Sequence, residues 1–220
     1  MMNLETLAEG LGVADVVDAM MMTHPHRAHI IDLTSPDPSR VLIGPAVTIG
    51  FLPVRKDFMD PDKHSLVPAI YRAVQNHDAK GAVLVMASNG HTKTSLGGGT
   101  KLSRVENLGM AGILADGYIR DFEEIDSYDF ATYCTGEAVR AGGNEVQPYL
   151  SDVPVSIGNV TVVPGDVIFA KGNAAVVVPG DEVEMIFKKA RMIMEKMDAA
   201  KEAGRSENPS QVLSKGDDAI

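Results

Sequence analysis

Residues 81–121 read GAVLVMASNGHTKTSLGGGTKLSRVENLGMAGILADGYIRD, two short apolar runs separated by a glycine-rich turn and a polar segment. The runs at 82–86 (AVLVM) and 113–115 (ILA) lack any polar side chain, the mark of strands covered on both faces. Between them come three successive glycines, Gly97, Gly98 and Gly99, and then a stripe of Leu102, Val105 and Leu108 that predicts a helix. A strand, loop, helix and strand in this order predict two parallel strands joined by a right-handed crossover. Ligands of such sheets gather beyond the carboxyl ends of the strands. Both the glycine loop and the segment Gly117-Tyr118-Ile119-Arg120-Asp121 follow those ends. Glycines let backbone N–H groups face a ligand at a helix N-terminus, where the helix dipole favours an anion. Arg120 adds a fixed cation and Asp121 a hard oxygen ligand, a pair able to hold an anionic small molecule beside a divalent metal. The competing reading of an Arg-Asp dipeptide is a surface salt bridge next to a flexible loop.

Outward from this unit, residues 4–22 read as helix, with Gly10 and Gly12 dividing it into two pieces. Residues 23–40 are rich in Pro, His and Ser and predict loop. Residues 41–54 (VLIGPAVTIGFLPV) are strand-rich, with Gly44-Pro45 as punctuation. A polar loop at 57–63 precedes a helix at 66–74 carrying Leu66, Val67, Ile70 and Val74. Residues 153–163 alternate around Gly158-Asn159, a hairpin signal. Two more short strands are predicted at 167–170 and 175–178, with Lys171-Gly172-Asn173 as their turn. Asp181 then opens an amphipathic helix whose apolar residues, from Val183 to Met197, keep the 3.6-residue period until Gly204. The expectation is therefore an α/β chain with one domain over residues 1–204 and a loose polar tail over 205–220, without internal repeats.

With 220 residues, 45% of them hydrophobic, the chain can bury a sizeable core. The formal net charge of -10 argues against non-specific binding to nucleic acid or anionic lipid. A single cysteine, Cys134, rules out an internal disulfide and any multi-cysteine metal site; its strand-like surroundings predict a buried, inert thiol. No apolar run reaches the length of a membrane span, and the acidic start MMNLETLAEGLG lacks a signal-peptide pattern, so a soluble cytoplasmic protein is expected. The 12 methionines cluster at Met20-Met21-Met22 and in the last helix, a pattern of adaptable core or interface filling.

The order of motifs resembles the RraA-like family, which includes the regulator of ribonuclease activity A and the 4-hydroxy-4-methyl-2-oxoglutarate aldolases. The matching pieces are Asp18-Ala19, Gly44-Pro45-Ala46-Val47-Thr48, Gly81-Ala82-Val83-Leu84-Val85, the stretch from Gly98 to Asp121, Val162-Val163-Pro164-Gly165-Asp166-Val167-Ile168 and Val176-Val177-Val178-Pro179. The resemblance implies a compact β/β/α sandwich of the swivelling-domain type with a C-terminal amphipathic helix. It also implies assembly into homotrimers or hexamers with active sites between subunits. In the aldolase branch, the residue matching Arg120 holds the carboxylate and keto oxygen of a 2-oxo acid. The residue matching Asp121 ligates Mg²⁺ or Mn²⁺, and backbone amides matching Leu96, Gly97, Gly98 and Gly99 hold the substrate. The implied reaction is cleavage of a C–C bond beside a ketone. The ribonuclease regulator departs at the aspartate of the Arg-Asp pair, which this chain keeps. Two readings follow: a metal-dependent lyase for a small 2-oxo acid, and a non-enzymatic protein-binding regulator on the same scaffold.

Two departures stand out. The family usually places an acid at the position of Gly99, where it organises metal-bound water. The later turn, usually Asp-x-x-Gly, here reads Lys171-Gly172-Asn173-Ala174. Among groups that could replace the missing acid, His91 is the leading histidine candidate, because it follows a buried strand on the rim of the glycine loop. Lys93 shares that loop and could bind a substrate carboxylate. Asp116 reads equally well as a group near the site or as a turn cap. Glu123 and Glu124 read as solvating a helix start, with a minority role in a metal's water shell. Glu195 matches a family acid that reaches a neighbouring subunit's site. Lys171 as a Schiff-base nucleophile and a metal site at His24, His26 and His29 are weaker alternatives.

Overall fold

A computed structural model describes residues 3–60, 62–210, 212 and 213. The chain begins with helices α1 (Leu4–Ala8) and α2 (Val13–Met21), followed by strands β1 (His29–Ile30) and β2 (Leu42–Pro53), and helix α3 (Leu66–Val74). The next stretch holds β3 (Val83–Ala87), β4 (Ser95–Gly98), α4 (Gly99–Asn107), β5 (Gly112–Ala115), β6 (Tyr118–Arg120) and α5 (Phe122–Asp126). Seven strands follow, β7 (Ala131–Tyr133), β8 (Gly136–Ala138), β9 (Val146–Ser151), β10 (Val155–Ile157), β11 (Val160–Val162), β12 (Val167–Lys171) and β13 (Ala174–Val178), and then helix α6 (Val183–Gly204).

The main sheet runs in the order β1-β13-β12-β2-β3-β5-β7, with β9 also paired to β2. Strands β2, β3, β5 and β7 are mutually parallel; β12, β13, β1 and β9 add antiparallel pairs. The predicted parallel pairing of β3 with β5 is present, in register from Val83 opposite Gly112 to Met86 opposite Ala115. Every residue of β3 is buried. Leu84 and Met86 face a core formed with α3, α4 and Ile119, whereas Val83 and Val85 face the β10–β11 hairpin through Val155, Ile157, Val160 and Val162. A third cluster seats α1, α2 and α6 on Phe169, Val176 and Val178 of the antiparallel end. The α/β class and the C-terminal amphipathic helix were thus readable from periodicity. Fully burying one aliphatic side chain of this kind stabilises by about 1.5–3 kcal/mol.

Four expectations need correction. Gly44-Pro45 does not interrupt β2. The strand passes straight through, because a Cβ at Gly44 would overlap the Gly81 carbonyl, and Pro45 falls where pairing with β3 has not yet begun. The stretch 23–40 contains β1, which pairs with β13 through His29 and Ile30. Residues 95–98 are strand β4, parallel to β6, which in turn pairs with β8. The glycines there are extended, with Gly98 at φ -156, ψ 169; Gly97 lacks room for a Cβ, 3.1 Å from both Leu102 and Leu66. Finally, within the expected tail, Pro209, Ser210, Val212 and Leu213 are helical; residues 214–220 lie outside the described residues.

The Gly158-Asn159 hairpin forms as expected, with both residues at positive φ, 54 and 63. Cys134 is buried just after β7, and burial pushes its thiol up to about 11.

Replacing Gly44 by Ala is expected to cost about 1–3 kcal/mol through overpacking, measured as a fall in Tm. Gly204→Ala, at an open helical position, should leave Tm unchanged or slightly raised. A pKa of about 11 leaves roughly one thiol in a thousand ionised at pH 8. Native protein should therefore react with a thiol reagent orders of magnitude more slowly than denatured protein, which should show one reactive group.

Candidate functional site

Strands β4 and β6 end side by side, so Gly98 lies opposite Arg120. Gly99 opens α4 at this point, and Asp121 opens α5 in the left-handed region, at φ 68, ψ 50. Aspartate is one of few non-glycine residues that tolerate this conformation, and here it turns the carboxylate back toward the glycines. Asp121 Oδ2 accepts the Gly99 N–H at 3.2 Å and lies 3.1 Å from Arg120 Nε. Gly98 passes directly beneath: a Cβ there would stand 2.7 Å from Asp121 Oδ2 and 3.3 Å from Arg120 Nε. The Arg120 and Asp121 side chains are 37% and 32% exposed. The salt bridge expected under the plainer reading therefore exists, but it rests on a paired strand and not on a flexible loop.

Arg120 faces a cavity of about 250 Å³. Leu96, Gly97 and Gly98 form one wall, Gly142 and Gly143 another, and His64, Ser65, Thr100 and Lys101 close the rim. Asp121 is not part of the lining; its carboxylate stands behind Arg120. No carboxylate lines this cavity among the described residues, whereas Arg120 and Lys101 both do. The lining is thus suited to an anion. His64 Nδ1 accepts the Asp60 N–H at 2.9 Å, and the ring stacks on Tyr149 at 4.9 Å between centroids. That bond places the proton of a neutral imidazole on Nε2. His64 and Lys101 escaped sequence reasoning. Leu66 of α3 packs on Gly97 and brings His64 along, a contact with no local signature.

The other candidates separate from this cavity. His91 and Lys93 do not line it; the left-handed Asn89 and Gly90 turn the chain after β3, and the Thr94 N–H closes that turn on the His91 carbonyl. His91 thus lies outside the lining of this cavity. The space a side chain at 99 would enter is filled by the carboxylate of Glu124. Glu123 is exposed on α5. Asp116 is buried at the end of β5, where its Oδ1 accepts the Ser88 N–H at 2.5 Å. Burial pushes its carboxyl up, opposed by amide hydrogen bonds from Ser88 and Gly158. Its hydrogen bond to the Ser88 N–H ties the end of β5 to the turn after β3. Glu195 is exposed on α6, whose buried face packs on α2 and on β12–β13.

A larger groove, of about 780 Å³, lies at the amino ends of the parallel strands, near Val41, Ala111 and Ala131. Lys171 sits in it with Arg40, Glu5 and Glu9, its Nζ 3.4 Å from the Leu11 carbonyl. Size does not make it the better candidate, because Arg120 and the glycines of β4 belong to the smaller cavity, and ligands of such sheets gather at the carboxyl ends of the strands. His24 pairs with Glu182 at 2.7 Å, and His29 lies in β1. Among the described residues, no three His, Cys, Asp or Glu side chains are grouped to hold a metal ion.

Comparison with known proteins places this geometry in context. DlpA of Legionella pneumophila is 31% identical over 150 residues, 67% of this chain. The chain spans only 23% of that protein's length. A protein of Halalkalibacterium halodurans, provisionally named a 4-hydroxy-4-methyl-2-oxoglutarate aldolase, is 28% identical over 76% of this chain and 73% of its own. The crystal structure of Streptomyces coelicolor RraAS2, described as an unusual member of the RNase ES inhibitor RraA family, superposes with a TM-score of 0.78 at 26% identity, covering 91% of this chain and 97% of its own. The family model described as RraA-like, Aldolase/RraA, matches residues 13–177, a span holding both Arg120 and the glycine strand. The chain belongs to the RraA-like family.

Proposed function

We propose that this chain is a divalent-metal-dependent carbon–carbon lyase acting on a small 2-oxo acid, with pyruvate as a product. The substrates considered are a 4-hydroxy-2-oxo acid, cleaved by a retro-aldol step, and oxaloacetate, which is decarboxylated. The observation that carries this reading is the Arg120 guanidinium set against a glycine-walled cavity with the Asp121 carboxylate behind it. The similarity to the provisionally named aldolase supports the same class.

The residues fit a hard cation. Asp121 offers a partly exposed carboxylate, and Mg²⁺ keeps several waters while taking only one or two carboxylates. Asp121 would hold Mg²⁺ or Mn²⁺, and such an ion supplies Lewis-acid polarisation of the ketone. The chain's own groups do the remainder. Arg120 Nε is engaged by Asp121, which leaves the two terminal nitrogens to grip the carboxylate and keto oxygen in a planar fork. The amides of Leu96, Gly97 and Gly98, which line the cavity, would complete the anion cradle, while the Gly99 N–H, the fourth amide expected there, is donated to Asp121. Lys101 and the His64 Nε2–H sit where a second polar group of the substrate would reach. In the retro-aldol direction the C3–C4 bond breaks and its electron pair moves toward the keto oxygen. The C4 hydroxyl gives up its proton as the second carbonyl forms, and C3 takes up a proton to give pyruvate. In oxaloacetate CO₂ leaves from C3 in place of the second carbonyl product. Arg120 stabilises the charge that builds on the oxygen.

We place the protein in the cytoplasm as a homotrimer or a dimer of trimers, in which Glu195 of one chain would approach the site of a neighbour. No helix among the described residues is long and apolar enough to cross a membrane. The second reading is a regulator that binds another protein. Exposed Met21, Met22, Met185 and Met192 favour it, since they form adaptable contact surface.

Arg120→Ala should lower pyruvate release by about 10²–10³ with Tm unchanged, and Arg120→Lys should not rescue it. A coupled pyruvate assay on oxaloacetate and on 4-hydroxy-2-oxo acids checks this; activity within a few-fold of wild type would remove Arg120 from the chemistry. EDTA should abolish turnover and Mn²⁺ should restore it. No turnover on any of these substrates would favour the regulator. Light scattering at micromolar concentration should give at least three times the chain mass of 23.4 kDa; a monomer contradicts the shared site.

A further inference from the structure

We infer that His64 determines specificity in the Arg120 cavity: its ring is locked as a hydrogen-bond donor and reads an acceptor oxygen at the far end of the substrate, without carrying a proton in the reaction. The inference rests on the lyase reading for its substrate; the orientation of the ring does not.

His64 and Arg120 reach one cavity from different elements. Arg120 stands opposite Gly98 at the end of β6. His64 precedes α3, whose Leu66 packs 3.1 Å from the Cβ position of Gly97. A small 2-oxo acid held at its head by the guanidinium presents its other end to the rim that His64 closes with Ser65, Thr100 and Lys101. The ring is fixed there. The His64 N–H donates to the Asp60 carbonyl at 2.7 Å, and the Asp60 N–H donates back to Nδ1 at 2.9 Å. Tyr149 of β9 stacks on the imidazole, with centroids 4.9 Å apart and planes inclined by 27°, and Phe58 adds a second ring contact to Tyr149 at 5.1 Å. Turning the imidazole over would break the bond to Asp60 and set a C–H against its N–H.

The polarity of this support decides the chemistry. A histidine that abstracts a proton through Nε2 is backed at Nδ1 by an acceptor, commonly a carboxylate, which leaves a lone pair on Nε2. His64 has the reverse arrangement: a donor faces Nδ1, so the neutral ring carries its proton on Nε2. The Asp60 carboxylate, which could have supplied the acceptor, is turned instead to the Asp62 N–H at 2.9 Å and to Lys63 at 3.5 Å. Among the described residues, no protein group is bonded to His64 Nε2. A donor so placed, half-buried beside Arg120 and Lys101, discriminates by the penalty of leaving it unpaired when the ligand brings no acceptor.

The test uses 2-oxoglutarate, which carries acceptor oxygens at its far end, and 5-methyl-2-oxohexanoate, in which an isopropyl group replaces that carboxylate. Titration calorimetry with Mg²⁺ present should show that the wild-type protein prefers 2-oxoglutarate. His64→Ala should lower that preference about 10-fold, the value of one hydrogen bond to a charged group. His64→Gln, whose amide donates from nearly the same place, should keep most of it. Heteronuclear NMR of the wild-type imidazole should place the neutral-form proton on Nε2; this measurement needs no variant and decides the point if His64→Ala fails to fold. In turnover, His64→Ala should lower kcat/KM through KM. An unchanged preference in His64→Ala, a proton on Nδ1, or a loss carried by kcat and not rescued by His64→Gln each overturns the inference. Protein that binds neither acid overturns it together with the lyase reading. A His64-dependent preference without turnover on any 2-oxo acid overturns the lyase reading and leaves this inference standing.

Discussion

Strand β3 must be covered on both faces, and most of the architecture follows from that requirement. Its five residues are all buried, and exposing even one side would forfeit several aliphatic burials at about 1.5–3 kcal/mol each. The hairpin β10–β11 covers Val83 and Val85; α3 and α4 cover Leu84 and Met86. Because α4 must lie on that second face, the chain leaving β3 has to travel to its start, and it does so through β4. The same logic returns the chain after β5 through β6. The small sheet β4-β6-β8 is thus the roof that the two crossovers build above the carboxyl ends of the central strands. The candidate cavity is lined by β4 of that roof and by Arg120 of β6, so its position follows from the way β3 is covered.

The sequence made this layout legible where one residue type had a single use. The runs at 82–86 and 113–115 could only be buried strands, and α6 declared itself through seven apolar residues at helical spacing. Gly158-Asn159 gave its turn because both positions need positive φ. Glycine misled elsewhere. Gly44, Gly97 and Gly98 were read as punctuation or loop, yet each sits in extended strand where a neighbour leaves no space for a Cβ. A glycine needed for close approach and one needed for a turn look alike until the neighbour is known. Strand β9 was missed for a related reason: its Pro148 lies in a strand at the margin of the sheet, where a missing N–H is tolerated.

At the site, the pair Arg120-Asp121 and the glycine wall were legible because they are contiguous in sequence and follow strand ends. His64, Lys101 and Glu124 were not singled out for the cavity or for position 99, because each arrives through packing of a separate helix. Glu124 comes with α5, which the left-handed Asp121 aims back over Gly99. His91 was attractive by proximity in sequence alone, and two left-handed residues were enough to separate it from the cavity. Local pattern therefore located the Arg120-Asp121 pair and the glycine wall, while the residues that close the cavity around them depended on tertiary structure.

The left-handed backbone at Asp121 bears on how such a protein can change over generations. Only asparagine and glycine share aspartate's tolerance of that conformation, and asparagine is a single-nucleotide step away. One substitution could therefore remove the charge behind Arg120 while leaving the backbone, the roof and the cavity wall in place. The scaffold sits one mutation from a copy of the same shape without that carboxylate. A position that fixes the backbone so tightly leaves its charge easy to discard.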